Sequence, residues 1–474
     1  MNLKITEKIK SDEILTKIRE NFDNEIYLVG GAVRDFLLDK ASYDRDLIVI
    51  YEDAKNFSMR LAEFFNGVFV PLDEENKIYR VVLPDKTNYF DVTNPADNSL
   101  EKDLLRRDLT INAIAVNIKT FEVVDLCGGI TDLQHGVLNC INEYNFIDDP
   151  LRLLRVYRFQ AILGFELSPL VIEAECKYAD LIAKPASERI NYELIKLFSG
   201  QFAFKAILNA DKTGLLEKIF PIINELKQVP PNTHHHLGLF YHSVETVKQL
   251  SEIYENAIPQ VKEHMNSVEF GGASRTAHLK LAAFLHDIGK FSTWTIEEDT
   301  GRHRFMKHED AGAKLAGEIL RQKGFSNKQI EYISKMIRNH LYPAQVMSAP
   351  DVNEKSMMRY IRKMENESID AILLAQADRL SARGEAVSVE MVENNINGLN
   401  RLLNFYLSVK DTLEPLPKLL TGNDVMKILD IKPSPALGEI MNALHEAQMN
   451  GDIKDKENAV KFVYNFHKNI QIKP

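Results

Sequence analysis

Strand-like segments occur only in residues 1–146 of this chain of 474 residues, and this uneven distribution does most to limit its fold. The segments are short runs of β-branched and aromatic residues bounded by turn residues: IYLVGG, DRDLIVI, GVFVPL, YRVVLP, NYFDVT, AIAVNI and FEVVDL. From Asp148 onward, apolar residues recur with helical spacing, as in LRLLRVYRFQAIL, YELIKLF and FKAILNA. The pattern predicts an α/β head, a mixed sheet with helices, followed by all-α domains.

Two proline-bearing breaks divide the helical part of the chain. Pro230-Pro231 precedes the stretch THHH, and LEPLPKLL precedes a last helical stretch. A chain of this length has room for three or four domains. We therefore predict a head at 1–146, a helical neck at 147–235, a third domain at 236–400 and a helical tail at 401–474.

Composition excludes several classes of protein. Apolar residues make up 45% and charged residues 27%, which is ordinary for a globular chain and excludes collagen-like or largely disordered proteins. The three cysteines are too few for a disulfide framework, and the N-terminus lacks the apolar stretch of a secretory signal. These two features predict a reducing, cytoplasmic location. Because no window resembles a membrane span, we expect no membrane partner. With a net charge of −10, any contact with nucleic acid must use a local basic surface.

A glycine turn precedes a strand that carries two carboxylates. Gly30 and Gly31 lie between an apolar strand and an amphipathic helix, where bare backbone N–H groups approach a phosphate closely and Arg34 meets the same anion. Asp44 and Asp46 open the run LIVI, and residues i and i+2 of a strand share a face. Such a pair of carboxylates suits Mg²⁺ together with substrate phosphates. The alternatives are a simple tight turn and an exposed acidic strand start.

Further charged residues extend this candidate site. Asp91 could complete a carboxylate trio, although an acid on an edge strand is the alternative. The arginines suit a triphosphate, since their planar fork donates paired hydrogen bonds, and Asp and Asn suit ribose hydroxyls. These candidates are Arg106, Arg107, Asp108 and Asn112 in LLRRDLTINA. The alternative for them is a helix with a salt-bridged face.

An acid and an arginine at the start of the next helix could recognise a nucleobase. Pro150 favours the first helical position, which places Asp149 at or near the N-cap and Arg152 one turn later on the same face. Asp149 would accept from the exocyclic amine of C or A, while Arg152 would donate to the adjacent ring acceptor. Arg155 and Arg158 continue a basic ridge. The alternative is an N-cap acid with an i,i+3 salt bridge.

Histidines and aspartates recur through the third predicted domain with the order H…HD…H…H…D. The members are His242, His286, Asp287, His308, His340 and Asp378, with Lys290 following the His-Asp pair. Imidazole and carboxylate ligands suit first-row divalent metals, which activate water against phosphoesters. The order resembles the HD phosphohydrolase superfamily. That resemblance implies one metal on His242, His286, Asp287 and Asp378, and a second on His308 and His340, whereas THHH is more consistent with a structural loop.

Five stretches in residues 27–160 together resemble the tRNA nucleotidyltransferase/poly(A) polymerase family, which has a polymerase-β-like head. They are LVGGAVRDFLL, DRDLIVI, RRDLTINAIA, VVDLCGGITDL and DDPLRLLRVYRF, and they are most similar to bacterial CCA-adding enzymes. The resemblance implies that Asp44 and Asp46 are the catalytic metal-binding pair. It further implies triphosphate contacts at Gly31, Arg34 and Arg107, ribose contacts at Asp108 and Asn112, base selection by Asp149 and Arg152, and another nucleotide contact at Arg155.

The resulting prediction is an enzyme that builds or repairs the 3′-CCA end of tRNA from CTP and ATP. The resemblance also implies that the neck binds RNA, that the third domain is an HD phosphohydrolase and that the tail contacts tRNA. An A-only-adding enzyme or a poly(A) polymerase is one alternative, because the segment between Thr93 and Leu104 is as short as in relatives that add only the terminal A. A phosphohydrolase with an RNA-recruiting head is a second. A non-catalytic RNA-binding protein is a third.

Overall fold

The computed structural model describes residues 2–413, 417–449 and 451–471. A first compact unit comprises the chain up to Glu225 with Gly271–His278 and Ile319–Ser326, and a second comprises Leu226–Phe270, Leu279–Glu318 and the chain from Asn327. Part of the predicted proline-bearing hinge, Glu414, Pro415 and Leu416, lies outside the described residues. The finer boundaries at 146, 235 and 400 stay predictions.

The head is built on a mixed sheet of seven strands in the order β3-β4-β5-β2-β1-β6-β7. Strands β2 and β5 pair in parallel, and the other described pairings in this sheet are antiparallel. The strands are β1 (Glu25–Val29), β2 (Asp44–Ile50), β3 (Val68–Asp73), β4 (Ile78–Val82), β5 (Tyr89–Thr93), β6 (Ile114–Asn117) and β7 (Val123–Asp125). Each predicted strand-like run therefore forms a strand, and the α/β head is confirmed.

Helices surround this sheet and continue into the neck. They are α1 (Asn2–Ser11), α2 (Glu13–Asn21), α3 (Gly31–Leu37), α4 (Ala54–Phe65), α5 (Leu100–Leu105), α6 (Gly129–His135), α7 (Asn145–Asp148), α8 (Leu151–Leu163), α9 (Pro169–Tyr178), α10 (Ser187–Ser199), α11 (Ala203–Lys212), α12 (Leu215–Ile219) and α13 (Ile223–Leu226). A short parallel pair, β8 (Val137–Leu138) and β9 (Glu166–Leu167), interrupts them. Helix α8 packs against α10 and α11 through a buried apolar face.

Strand β2 is anchored from the face opposite its two aspartates. Arg45 lies between them in sequence, is 5% exposed, and binds Asp12 with 2.7 Å between Nη2 and Oδ2. Asp12 also caps α2 by accepting hydrogen bonds from the backbone of Ile14 and Leu15. Because side chains alternate across a strand, burying Arg45 on one face directs Asp44 and Asp46 to the other.

From Leu239 onward, the described residues are mostly helical, as predicted. Its helices are α14 (Leu239–Glu255), α15 (Pro259–Asn266), α16 (Arg275–Leu285), α17 (Lys290–Thr293), α18 (His308–Gln322), α19 (Asn327–Asn339), α20 (Tyr342–Ser348), α21 (Glu354–Met364), α22 (Ser368–Ser381), α23 (Val389–Val409), α24 (Gly422–Leu429), α25 (Pro435–Met449) and α26 (Lys456–Gln471). Two short hairpins that the sequence did not predict interrupt them: β10 (Val268–Phe270) with β11 (Ala273–Ser274), and β12 (Trp294–Ile296) with β13 (His303–Phe305). Leu420, Val425, Ile440 and Leu444 belong to a separate apolar cluster within the tail. In the described part of the chain, no helix has both the length and the apolar character that crossing a bilayer requires.

Candidate active sites

The turn between β1 and α3 requires glycine at position 30. Gly30 has a φ of 69°, and a Cβ there would lie 2.8 Å from Nη1 of Arg107 and 3.1 Å from Oδ2 of Asp46. A side chain would therefore be strained and would collide with two predicted site residues. The bare backbone lets an arginine, a carboxylate and the first turn of α3 meet at one place.

Three carboxylates converge beside this turn. Asp44 and Asp46 share a face of β2, and Asp91 lies directly beside Asp46 in the parallel register of β2 and β5. One oxygen from each of the three lies within 4.8 Å of the others. Burial raises the pKa of Asp46 to about 7 against the lowering effect of Arg107, and burial followed by the charge of Asp91 raises the pKa of Asp44. The cluster thus carries unfavourable negative charge that a divalent cation would relieve, and its oxygen-only donor set fits such an ion.

Asp91 has a partner that sequence reasoning missed. Nε and Nη2 of Arg80 each donate to one Asp91 oxygen, both at 2.7 Å. Arg80 faces Asp91 in the β4–β5 register, so the pair is visible only once those strands are aligned. The edge-strand alternative for Asp91 is wrong, since β5 lies between β4 and β2.

A buried acid organises the arginines that follow α5. The side chain of Asp103 is 1% exposed and binds Arg106 through Oδ1 and Arg107 through Oδ2, with closest distances of 2.7 and 3.1 Å. Arg107 also donates from Nη1 to the backbone oxygen of Asn112 at 3.3 Å. The alternative of a salt-bridged helix face is therefore partly correct, because both arginines bind Asp103. Arg107 nevertheless also reaches the glycine turn.

Asn112, Asp108 and Arg155 form a chain of hydrogen bonds that begins at Arg34. Nη1 of Arg34 donates to Asn112 Oδ1 at 2.7 Å, and Nδ2 of Asn112 donates to Asp108 Oδ1 at 2.9 Å. Arg155 Nε completes the chain on Asp108 Oδ2 at 2.7 Å. Burial alone would raise the pKa of Asp108, but Arg155 and Asn112 hold it well below its usual range. The network keeps Asp108 ionised.

The side chains of Asp149 and Arg152, at the start of α8, each bind a different partner. Pro150 takes the N-cap position, so Asp149 lies next to the cap, within the predicted range, and its Oδ1 accepts from Leu151 N at 3.3 Å. Arg152 donates from Nη1 to the backbone oxygen of Asn145 at 3.0 Å. Asp149 instead pairs with Arg189 at 3.1 Å. Within the described ranges the predicted alternative, an i,i+3 salt bridge between Asp149 and Arg152, is not formed.

These groups line one open cavity of about 780 Å³ in the first compact unit. The lining includes every predicted nucleotide-binding residue except Arg106, and both predicted metal-binding acids of β2, whereas Asp91 is not among the lining residues. The predicted members are Gly30, Gly31, Arg34, Asp44, Asp46, Arg107, Asp108, Asn112, Asp149, Arg152, Arg155 and Arg158. The site prediction omitted five further lining residues: Phe159, Glu188, Arg189, Tyr192 and Glu193. Of these, Glu193 is buried and binds Arg158 at 3.2 Å. The run SERINYEL was the available signal for the α10 members.

A second centre lies in the helical part of the second unit. Its ligand-type atoms form two groups that share Asp287: His242, His286, Asp287 and Asp378 in one, and Asp287, His308 and His340 in the other. His242 Nε2 lies 3.1 Å from Asp378 Oδ1 and 3.3 Å from His286 Nε2. His308 Nε2 lies 3.3 Å from Asp287 Oδ1. The predicted residues are thus brought together, but the sharing of Asp287 was not predicted.

The outward nitrogen of each histidine in this centre is fixed by a hydrogen-bond contact. Nδ1 of His286, His308 and His340 lies 2.7 to 2.9 Å from the backbone oxygens of Ala283, Phe305 and Ile337, respectively. Nδ1 of His242 lies 3.2 Å from the Ser381 hydroxyl. These contacts orient every Nε2 toward Asp287 and Asp378, as metal-binding imidazoles require.

Unsatisfied buried atoms test whether this centre fits a metal. Both carboxylate oxygens of Asp287 and Nε2 of His308 are buried, and none of these atoms has a hydrogen-bond partner of good geometry among the described residues. The nearby cation Lys290, 2.5 Å from Asp287 Oδ2, offsets part of the charge. Convergent imidazole and carboxylate atoms of this kind fit divalent metal ions.

Two further features support the second centre. A Cβ at Gly289 would lie 2.1 Å from the His308 oxygen, so glycine allows the His-Asp loop to approach α18. In THHH, His235 is half-buried, with Nε2 3.4 Å from Lys290 Nζ and its ring 4.5 Å from that of His242. Sequence reasoning treated this stretch as a structural loop and missed His235. The available signal was its position seven residues before His242, the first histidine of the predicted metal site.

The fold and these two centres define a nucleotidyltransferase-type head joined to an HD domain. Family models match in the same order: "Poly A polymerase head domain" over residues 26–139, "Probable RNA and SrmB- binding site of polymerase A" over 164–227, and "HD domain" over 239–383. Together they imply the use of divalent metal ions.

Relatives extend the match to nearly the whole chain. An A-adding tRNA nucleotidyltransferase of Deinococcus radiodurans is 32% identical over 92% of this chain and 94% of its own length. A CC-adding tRNA nucleotidyltransferase of Thermus thermophilus is 31% identical over 93% of each chain. A Thermotoga maritima CCA-adding enzyme solved in complex with tRNA shares the fold, with a TM-score of 0.55 and 21% identity over 98% of this chain and 97% of that one. The chain belongs to the tRNA nucleotidyltransferase family and is an enzyme of that kind.

Proposed function

We propose that this enzyme builds or repairs the 3′-terminal CCA of tRNA, using CTP and ATP in the cytoplasm. The tRNA 3′-hydroxyl attacks the α-phosphorus of the nucleotide, a new phosphodiester bond forms, and pyrophosphate leaves. The observation that carries this proposal is the convergence of three carboxylates beside a glycine turn, two of which line an arginine-rich cavity. Positioning and electrostatics supply most of the catalysis in such transfers.

The carboxylates are proposed to hold Mg²⁺. Asp44 and Asp46 are its ligands from β2, and Asp91, kept in place by Arg80, lies beside them on β5. When bound, Mg²⁺ lowers the pKa of the attacking hydroxyl and offsets charge on the departing pyrophosphate. The position of these acids beside the glycine turn supports this role, because bare backbone N–H groups there suit a phosphate.

The rest of the cavity is proposed to bind the nucleotide part by part. The backbone of Gly30 and Gly31 with Arg34 and Arg107 faces the triphosphate, because bare N–H groups and guanidinium forks donate to phosphate oxygens. The residues proposed for the ribose are Asp108 and Asn112, those for the base edge are Asp149 and Arg152, and those for further nucleotide contacts are Arg155 and Arg158.

The decisive experiment removes the paired acids. Asp44→Ala and Asp46→Ala are expected to abolish incorporation of labelled CTP and ATP while tRNA binding, measured by filter retention, stays within about twofold of wild type. Asp23→Ala, an exposed acid of the same head, is the matched control and should incorporate normally. Normal incorporation by either Asp44→Ala or Asp46→Ala would refute the assignment.

Addition of only the terminal A is a second candidate function. The connection between β5 and α5 consists only of residues 94–99, a short segment of the kind that the family resemblance associates with A-adding enzymes. Stepwise assays on tRNA that lacks CCA, lacks the last CA or lacks only the terminal A, with one nucleotide at a time, separate the two. Addition to all three acceptors supports full CCA synthesis, addition only to the last supports A-only activity, and addition only to the first two supports CC-only activity.

The HD centre is proposed to hydrolyse phosphoesters, such as 2′-phosphates or 2′,3′-cyclic phosphates, with first-row divalent metals. His242, His286, Asp287 and Asp378 would hold one ion, and His308 and His340 would hold a second beside Asp287. Hydrolysis of 2′,3′-cyclic AMP should require added Mn²⁺, Co²⁺ or Ni²⁺ and should be lost in Asp378→Ala with incorporation unchanged. Hydrolysis without any nucleotide incorporation would instead favour a phosphohydrolase with an RNA-recruiting head.

A further inference from the structure

One exposed aromatic side chain lies in the nucleotide cavity without an assigned role. Tyr192 lies on α10, lines the cavity and is 58% exposed. Polar and charged residues account for most of the remaining lining and suit a triphosphate, a ribose and a base edge. They do not cover the flat apolar face of a nucleobase, which stacks favourably on aromatic rings.

The other aromatic lining residue, Phe159, is already occupied. Its side chain is 5% exposed. The guanidinium carbons of Arg158, Arg34 and Arg155 lie 4.3, 5.0 and 5.6 Å from its ring centroid. Phe159 therefore spaces the arginines, and Tyr192 is the lining aromatic with area left for a ligand.

The placement of Tyr192 on its helix brings it close to the proposed base reader. Arg189 precedes it by three residues, so the two share a face of α10, and Arg189 Nη2 binds Asp149 Oδ2 at 3.1 Å. Lys196 Nζ lies 5.5 Å from the Tyr192 ring centroid on the next turn. Although Lys196 contacts the ring, Tyr192 stays 58% exposed, so the ring keeps area for a base.

We propose that Tyr192 is the platform on which the base of the incoming nucleotide stacks, and that it strengthens binding of ATP more than that of CTP. The inference rests on the proposed nucleotidyl transfer. A purine overlaps a phenol ring over a larger area than a pyrimidine does, so the contribution is greater for ATP. Tyr192 is thus a specificity-determining residue of the cavity, distinct from the edge-reading pair.

The test compares Tyr192→Ala with Tyr192→Phe and with Tyr144→Ala, an exposed tyrosine of the same unit that does not line the cavity. Equilibrium binding is measured for ATP, CTP and ribose 5′-triphosphate, which lacks a base. Because base stacking on an aromatic ring is worth about 1–3 kcal/mol, Tyr192→Ala should raise the Kd of ATP by about 5- to 150-fold. The Kd of CTP should rise less, and the Kd of ribose 5′-triphosphate should not change. Tyr192→Phe should restore ATP binding, and Tyr144→Ala should match wild type.

Three results would overturn the platform. Equal weakening of ATP and ribose 5′-triphosphate would mean that the variant disturbs the phosphate site, and unchanged ATP binding would mean that the ring contributes nothing. A rise confined to the KM of tRNA would place the ring under the primer instead. None of these three results contradicts the proposed nucleotidyl transfer, because wild-type incorporation is unchanged in each case. A wild-type protein that binds neither ATP nor CTP would instead refute the proposed function.

Discussion

Asp103 should control nucleotide use although it does not line the cavity. Its buried carboxylate binds Arg106 with one oxygen and Arg107 with the other, and Arg107 reaches the glycine turn. Asp103→Asn keeps the shape of the side chain but removes the charge and one acceptor oxygen. The amide nitrogen would then face one of the two guanidinium groups, and the orientation of Arg107 would no longer be fixed before the nucleotide binds.

The magnitude follows from the exposure of the two arginines. The Arg106 side chain is 58% exposed, so its pair is worth about 0–1 kcal/mol. The Arg107 side chain is 22% exposed and its bonds to the fully buried carboxylate are charge-assisted, which is worth about 1.5–3 kcal/mol. We therefore expect Asp103→Asn to cost about 2 kcal/mol of transition-state stabilisation, a fall of about 30-fold in kcat/KM for CTP and ATP.

Steady-state incorporation on a tRNA lacking the terminal A measures this effect. Arg106→Ala is the matched control and should stay within about threefold of wild type, whereas Arg107→Ala should be at least as impaired as Asp103→Asn. Thermal unfolding of each variant separates a local effect from loss of the fold. If Asp103→Asn matches wild type while Arg107→Ala is impaired, Arg107 does not depend on the buried carboxylate and the reasoning fails.

Three further outcomes are expected. Arg152→Ala should relax discrimination among CTP, ATP and UTP more than it weakens triphosphate binding, and unchanged discrimination in competition assays would contradict the base-reading role. Asp287→Ala should lose all metal bound at the HD centre, whereas His340→Ala should lose only part of it, as measured by metal analysis of dialysed protein; equal losses would argue against a shared ligand. Glu175 is buried, and neither of its carboxylate oxygens has a hydrogen-bond partner among the described residues. Burial raises the pKa of Glu175 well above the usual value, so its carboxyl stays protonated in the folded protein. The free energy of unfolding therefore falls as pH rises above about 4.5. Glu175→Leu should therefore raise the free energy of unfolding by about 1–3 kcal/mol at pH 8 and by less at pH 5. Unfolding temperatures at the two pH values measure this, and an equal rise at both would contradict this account.

Local rules of sequence predicted the parts of the head that depend on neighbours along the chain. The turn at Gly30 and the shared face of Asp44 and Asp46 follow from the period of a strand and the conformational freedom of glycine. The alternation also accounts for Arg45 on the opposite face, where Asp12 binds it. These features need only a few residues on either side, so the sequence alone defines them.

Contacts between distant segments were beyond sequence reasoning. Asp91 joins Asp46 only because β5 pairs in parallel with β2, and neither strand order nor register follows from composition. The partners of Asp91 and Asp149, which are Arg80 and Arg189, likewise depend on which strands and helices become neighbours. Charge at these positions was evident from the sequence, but its compensation was not.

The two centres treat charge in opposite ways, and this difference accounts for their different proposed ions. In the head, two of the three clustered acids have raised pKa values, and the third is already neutralised by Arg80, so the site offers oxygen atoms and an unmet demand for positive charge. In the HD centre, imidazoles outnumber carboxylates, and Lys290 already offsets part of the charge of Asp287. A hard ion that brings phosphate with it suits the first arrangement, and a metal that binds nitrogen strongly suits the second. Under the proposed function, one chain would keep a synthetic and a hydrolytic centre chemically separate, because the donor atoms of each favour a different ion.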